Sequence, residues 1–595
     1  MLPGHLRLIA SFLLFLSALP AVQSAVIRTS EPVLSQASAP HGGVATEAAP
    51  CTEIGLNILQ GGGNAADAII ASGLCVGVIS AYHSGIGGGG FMLVRFNNDN
   101  GSHDYEMIDS RETSPAAGNE YMFVNDSNPE AFVAGGLSVA VPGDLRGWEM
   151  LHQRHGTLPW EDLVTPAVLL ARNGFEVNID LAAALQGQEF ITQDAIWAET
   201  YAPNGTVLVE GDICYRKRYA NTLEKIAKYG VDTFYTGSIA ENIVSVVNSN
   251  HGIMTIDDLA SYAAIVRQPQ NISYRNTRVF STVAPSSGTV MLSALKIFEG
   301  FNANVSDRQA FLFSKSLHVA YFDVVTHSDS SINLTTHRLV EATRFAYGQR
   351  TEYGDPAFNP DVTKLEAYFL TEAVVNETRS KILDNQTFPV TYYNPENYQV
   401  VNDNGTSHMA VIDKDGMAVS LTMTVNNFWG SQLMTVDGIV LNDEMGDFSS
   451  PGETNDFGFS ASPANYIAGG KRPQSSISSS IAEDLETGEI IMATGSAGGS
   501  RIITATLQNL YHHIDQGLNS TLCVHHPRWH DQLDGNTYFE YKSENVGIAG
   551  YNNATVAYFR EMGYNISYEI VIRQPNGTIE AANDPRKAAG AGLAY

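Results

Sequence analysis

The sequence predicts an α+β protein built as one folded unit, and three observations carry that expectation. A long block rich in helical spacing and turns precedes a strand-rich block that begins near Thr406, and no internal repeat or low-complexity linker separates them. The 595 residues, 44% hydrophobic and 16% charged with 53 glycines, describe a compact, loop-rich chain with ample core material. A formal charge of −29 and a pI near 4.8 argue against nucleic acid as a partner, because an acidic surface repels phosphates.

Residues 1–24 have the layout of a secretory signal: His5 and Arg7, an apolar run over 8–19, Pro20, then Val22-Gln23-Ser24-Ala25, with cleavage expected after Ser24. The run is short for a bilayer span, which favours removal over anchoring. Asn-x-Ser/Thr sites at Asn100, Asn125, Asn204, Asn271, Asn304, Asn333, Asn376, Asn385, Asn519, Asn553, Asn565 and Asn576 suit a glycoprotein. The expected location is extracellular, at the cell surface or in a vacuole reached through the secretory pathway. Asn404 forms a further site with Thr406 and is expected to stay bare.

Helical spacing over 44–59 stops at Gly61-Gly62-Gly63, and Asn64 then caps a second helix over 65–79 that is apolar nearly all round. Cys51, about ten residues before the turn, and Cys75, about eleven after Asn64, stand at matching heights at a rise of about 1.5 Å per residue. A disulfide is therefore expected, worth roughly 3 kcal/mol, with two free core cysteines as the alternative. Cys214 and Cys523 show no readable partner. Ser84-Gly85-Ile86-Gly87-Gly88-Gly89-Gly90-Phe91 lacks the ending of a phosphate loop and leads into a strand over 91–96, so close backbone packing is expected of it. Arg111 follows at a strand end, where its fork suits a carboxylate; a surface ion pair with Glu112 is the alternative. Helices are expected over 142–155, 159–172, 310–325 and 337–347.

Residues 408–413, the turn Lys414-Asp415-Gly416 and residues 417–425 read as a β-hairpin on which Thr424 and Asn426 share a face. If the Gly405–Thr406 bond breaks, Thr406 becomes nucleophile and base in one residue, its α-amine having a reference pKa of about 8. Gly405, lacking Cβ, lets a hydroxyl approach its carbonyl. An ordinary hairpin behind a surface Gly-Thr is the alternative. Downstream, 438–441 reads as a short strand. The acids of Asn442-Asp443-Glu444-Met445-Gly446-Asp447-Phe448 suit a ligand ammonium, a metal, or a solvated turn. Residues 451–470 form a candidate flap, and Ser475 and Ser476 offer hydroxyl donors after it. A strand over 490–494 and a helix over 501–516 bracket Gly498 and Gly499, whose amides suit an oxyanion or a phosphate. His525, His526 and His530 match no zinc spacing and are expected to be solvated.

Taken in order, Gly62-Gly63-Asn64-Ala65-Ala66-Asp67-Ala68, Gly85-Ile86-Gly87-Gly88-Gly89, Asp109-Ser110-Arg111-Glu112, Gly405-Thr406-Ser407-His408, Asn442-Asp443-Glu444-Met445, Pro473-Gln474-Ser475-Ser476 and Gly498-Gly499 resemble the γ-glutamyltransferase (γ-glutamyltranspeptidase, glutathione hydrolase) family of N-terminal-nucleophile hydrolases. The resemblance runs nearly the whole mature chain. It implies a four-layer αββα sandwich of two mainly antiparallel sheets, one unit cut into a large subunit, 25–405, and a small catalytic subunit, 406–595, that stay together as a heterodimer. It further implies that Thr406 cleaves the chain and then serves as catalyst with Thr424, that Arg111, Ser475 and Ser476 clamp a donor α-carboxylate, and that Asn426, Glu444 and Asp447 take its α-ammonium. The Gly498 and Gly499 amides become the oxyanion hole. Glutathione and other γ-glutamyl compounds are the implied donors, with water, amino acids or dipeptides as acceptors and no metal or organic cofactor. The sequence departs from the family pattern at Phe428, where some members have tyrosine, at Ile477-Ser478-Ser479-Ser480, and at Gly446, often an aspartate. A β-lactam or glutaryl acylase of the same fold and an inactive secreted binding homologue are the alternatives.

Overall fold

The computed structural model describes residues 36–38, 41–98, 101–124, 128, 130–301, 330–399, 405–454, 458–540, 550–569, 580–582, 584, 586 and 589–594. The signal segment, the helix expected over 310–325 and the sites at Asn100, Asn125, Asn304, Asn404 and Asn576 lie outside the described residues.

Two antiparallel sheets stack face to face between helical layers. The larger has seven strands in the order Ala591–Ala594, Gly42–Thr46, Ser407–Asp413, Ala418–Thr424, Gly89–Asn97, His103–Asp109, Ile265–Arg267. The smaller runs Ile490–Thr494, Ser480–Asp484, Thr277–Ser281, Gln270–Tyr274. Side-chain alternation along Ser407–Asp413 explains the stacking. Ala410 and Ile412 meet Phe280, Ile481 and Ala493 of the other sheet, while Met409 and Val411 face the outer helices. A strand covered on both faces is apolar at nearly every position, and this one is buried throughout.

The outer helix Ala65–Ile79 is buried at every residue, as its uniform apolarity predicts, and Asn64 and Asp67 close its start with a reciprocal capping box. The expected disulfide joins Cys51 to Cys75 with Cα atoms 5.3 Å apart, whereas Cys214 and Cys523 are free and buried. Helices Gly288–Glu299, Ser330–Arg350 and Ile502–Ile514 cover the smaller sheet. Among the described residues no helix is long and apolar enough to cross a membrane.

Three expectations need correction. Residues 42–46 are a strand, held by pairing Val44 with Val411 and Leu593, and the helix begins only at Ala49, with Pro50 in its first turn. Residues 438–441 form no regular strand; they fold back on 431–435 through the bridge Met434↔Val440 and the bonds Thr435 N–H to Ile439 O and Leu441 N–H to Leu433 O. The block read as helix and turn contributes the short strands Ile265–Arg267, Gln270–Tyr274 and Thr277–Ser281 to the two sheets, and Ile213–Cys214 to a separate pair with Phe175–Glu176.

Candidate active site

Thr406 stands one residue before the strand Ser407–Asp413 and is only 5% exposed. Extending the register Ser407↔Met423 by one pair sets Thr406 opposite Thr424. Both then share the face of His408, Ala410 and Ile412, toward the second sheet.

The strand ends at Thr424, whose Oγ1 accepts the Asn426 backbone N–H at 2.7 Å, and Asn426 takes φ +69°. This left-handed conformation, which asparagine tolerates better than most residues, corrects the expected common strand face. Thr424 and Asn426 are neighbours through a turn, and Asn426 Nδ2 donates to Asp443 O at 3.1 Å. Gly405 has φ +73°, and a methyl on it would lie 1.8 Å from Asn426 O, so only glycine fits before Thr406. Methyls on Gly87, Gly88, Gly89 and Gly90 would lie 2.0, 1.8, 2.4 and 2.2 Å from the carbonyl oxygens of Val440, Thr424, Ser110 and Thr422. That glycine run is a bed for neighbouring backbone, as expected.

Arg111 is 1% exposed, which rules out the surface ion pair. Its guanidinium donates to Glu444 Oε1 and Asp447 Oδ2, and to the carbonyls of Gln474 at 3.0 Å and Pro473 at 3.4 Å. Those carbonyls lead directly into Ser475 and Ser476. Ser475 Oγ accepts the Ile477 N–H at 3.2 Å, and Ser476 Oγ accepts Arg350 Nη2 at 2.8 Å. The acids ride on the short helical turn Glu444–Asp447, buried rather than solvated. Asn442 explains the burial: its Nδ2 donates to Gly87 O at 2.8 Å and Ala140 O at 2.9 Å while its Oδ1 accepts the Glu444 N–H at 3.0 Å. Gly446 leaves open a place where a methyl would approach Phe132 O at 3.1 Å and Asn426 Nδ2 at 3.4 Å.

Burial opposes the charge on Arg111, but the carboxylates of Glu444, Asp447 and Glu112 outweigh it and hold the guanidinium protonated. Burial pushes the Glu112 carboxyl up to about 8 against the pull of Arg111, whose Nη1 lies 3.8 Å away. It pushes Asp443 up to about 8 against hydrogen bonds from Asn427. Glu112 also joins the two halves of the site, since its Oε2 lies 2.7 Å from a methyl built on Gly89, the register partner of Thr424.

Gly498 and Gly499, at φ +114° and +59°, open a turn that runs into the helix Ile502–Ile514, the geometry expected of an anion cradle. Tyr347 donates its hydroxyl to Ser500 O at 2.6 Å behind them. His408 ties this loop to the strand of Thr406. A methyl on Gly495 would lie 2.4 Å from His408 Cε1, so ring and glycine are in direct contact. His408 Nδ1 meets Thr422 Oγ1 at 2.8 Å, Thr422 meets Ser479 Oγ at 3.0 Å, and burial drives the imidazole pKa down to about 3, leaving it neutral. Sequence reasoning missed His408, although a titratable residue two places after Thr406 on a buried strand was a readable signal. It also missed Arg350 and Tyr347. The histidines expected to be solvated are not all so: His530 is buried, bonded to Thr504 Oγ1 and Gln532 Oε1, both at 2.8 Å. Among the described residues no group of three or more His, Cys, Asp or Glu side chains is placed to hold a metal ion.

Stacked antiparallel sheets between helices, with a threonine at the head of a central strand, define the fold of the N-terminal-nucleophile hydrolases. The fold is similar to that of cephalosporin acylase from Bacillus halodurans, with a TM-score of 0.75 at 22% identity over 96% of this chain and 99% of that one. The family model of gamma-glutamyltranspeptidase matches residues 51–594. A glutathione hydrolase proenzyme of Arthroderma benhamiae is 39% identical over 100% of both chains, and a glutathione hydrolase of Aspergillus flavus is 37% identical over 92% of this chain and 88% of that one. The chain belongs to the γ-glutamyltranspeptidase family and is an enzyme of that family.

Proposed function

We propose that this chain is a secreted precursor, freed of residues 1–24, that cleaves itself between Gly405 and Thr406 and then transfers γ-glutamyl groups from glutathione and related amides. The Thr406 hydroxyl attacks the Gly405 carbonyl, the C–N bond breaks, and the Thr406 nitrogen leaves as an amine while its Oγ carries the acyl group as an ester. Water hydrolyses the ester, and residues 25–405 and 406–595 remain together as a heterodimer.

In turnover the Thr406 amine accepts the proton of its own hydroxyl as Oγ attacks the γ-carbonyl, and the oxyanion develops against the Gly498 and Gly499 amides. The amine returns the proton to the departing nitrogen. Water or the amine of an amino acid or dipeptide then releases the γ-glutamyl group and restores the threonine. The donor head is a zwitterion, and the cluster suits one: its carboxylate takes the Arg111 fork with Ser475 and Ser476 nearby, and its ammonium relieves Glu444 and Asp447, with Asn426 beside them.

The observation that carries this reading is a buried Thr406 at the head of a central strand, preceded by a left-handed Gly405 whose Cβ position lies 1.8 Å from Asn426 O. It is tested by Thr406→Ala. The wild type should give two fragments on a denaturing gel, the second beginning Thr-Ser-His-Met, and should release the aniline of a γ-glutamyl anilide faster with a dipeptide acceptor present. The variant should stay one band and release no aniline; turnover in the uncleaved variant would overturn the mechanism.

A further inference from the structure

A cavity of about 420 Å³, lined by none of the candidate catalytic or donor-binding residues, lies between Arg344 of the helix Ser330–Arg350, residues 387–391 and segments after Thr406. Its walls are apolar at Phe388, Pro389, Val390 and Phe459, and two charged side chains, Arg344 and Asp531, line it. Volume and lining suit a small organic ligand with a few fixed polar contacts.

Both charged groups are buried, Arg344 at 6% and Asp531 at 2% exposure, and they form an ion pair without a hydrogen bond. Arg344 Nε lies 3.6 Å from Asp531 Oδ2, too far for a hydrogen bond, and that Nε has no hydrogen-bond partner. The other side of the guanidinium is committed: Nη1 donates to Thr387 Oγ1, and its plane lies over the Tyr393 ring at 4.3 Å. Glu341, 3.9 Å from Nη1, is already saturated by the hydroxyls of Thr387, Tyr393 and Tyr564 at 2.6, 2.7 and 2.8 Å. Asp531 accepts the Thr537 hydroxyl at 2.6 Å and the Leu533 N–H at 3.1 Å. A buried guanidinium N–H without a hydrogen-bond partner is costly, and here its charge is met by Asp531 while its donor is not.

We infer that this cavity is a non-catalytic binding site for an apolar L-α-amino acid. The ligand carboxylate bonds the open edge of Arg344, its ammonium bonds Asp531, and its side chain packs on Phe388, Val390 and Phe459. A neutral zwitterion is favoured over a simple anion or cation because Arg344 and Asp531 neutralise each other, so either lone charge would leave one of them unpaired. The site needs neither cleavage at Thr406 nor turnover, so its failure and the failure of the catalytic reading are separable.

The test is calorimetric titration of L-leucine into the mature full-length enzyme after enzymatic removal of N-glycans, since Asn565 stands on the cavity rim. Wild type should show one saturable site. Thr391→Trp, at an exposed position on the rim, should abolish it while hydrolysis of a γ-glutamyl anilide without acceptor stays at the wild-type rate. Arg344→Met should weaken it at least tenfold, and so should replacing the ligand by L-leucinamide or by 4-methylpentanoate, which lack the carboxylate and the ammonium respectively. Undiminished binding to both variants, equal binding of the two analogues, or no binding to wild type overturns the inference.

Discussion

Thr424 Oγ1 holds the Asn426 N–H at 2.7 Å and so fixes a left-handed turn beside the Gly405–Thr406 bond. The same residue lies opposite Thr406 when the Ser407↔Met423 register is extended by one pair, and its hydroxyl shapes the Asn426 turn that Gly405 packs against.

Thr424→Val keeps the shape and removes the acceptor, leaving a buried N–H without a partner at a cost of about 1–3 kcal/mol. Self-cleavage, followed as band conversion on denaturing gels, should slow by tenfold or more, while Thr424→Ser should cleave nearly as wild type. Equal rates in the valine variant would remove Thr424 from the scheme.

Gly495→Ala drives a methyl into the His408 ring and should displace the loop that carries Gly498 and Gly499. Loss of an oxyanion donor costs about 10²–10³-fold in kcat, so a fall toward that range with little change in KM is expected. His408→Ala in the same chain makes room for the methyl and should recover part of the loss, a coupling that two independent lesions would not show.

Arg111→Lys keeps the charge and loses the fork that reaches two carboxylates and two carbonyls at once. KM for a γ-glutamyl donor should rise about tenfold or more, the equivalent of at least ~1.4 kcal/mol. The same variant should lose less against a donor lacking the α-carboxylate, and equal losses on both donors would mean that Arg111 does not clamp that group.

Glu112 makes stability depend on pH. Burial raises its carboxyl to about 8 in the fold from an ordinary glutamate value of 4.5, so the folded chain holds a proton that the unfolded chain has lost between those values. Stability therefore falls as pH rises through that window, by at most about 1.4 kcal/mol per pH unit for one proton, and levels off above it. Glu112→Gln removes the term. Denaturant melts should show the variant gaining on wild type from pH 5 to pH 8; a constant difference would place the Glu112 proton elsewhere.

Legibility followed the physical reach of each signal. The hairpin, the capped helix at Asn64, the Cys51–Cys75 pairing and the glycine bed are local patterns, and the structure has them where the spacing put them. Solvation of acids and histidines is not local. The acid turn reads equally as ligand site, metal site or solvated loop, and His530 as solvated, until Asn442 bonds Gly87 and Ala140 far upstream and Thr504 bonds His530 from a helix. The strands at 265–281 were hidden because each is only three to five residues long and partly exposed, so neither period stood out. Asn426 was placed on a strand face by a period of two that ends one residue too soon.

The edge strand Ala591–Ala594 pairs with Gly42–Thr46, which in turn pairs with the strand headed by Thr406. A ribosome delivers that edge long after the Gly405–Thr406 bond has emerged. Until those last residues arrive, the outer edge of Gly42–Thr46 has no neighbour, so the sheet that holds Thr406 closes with the end of synthesis.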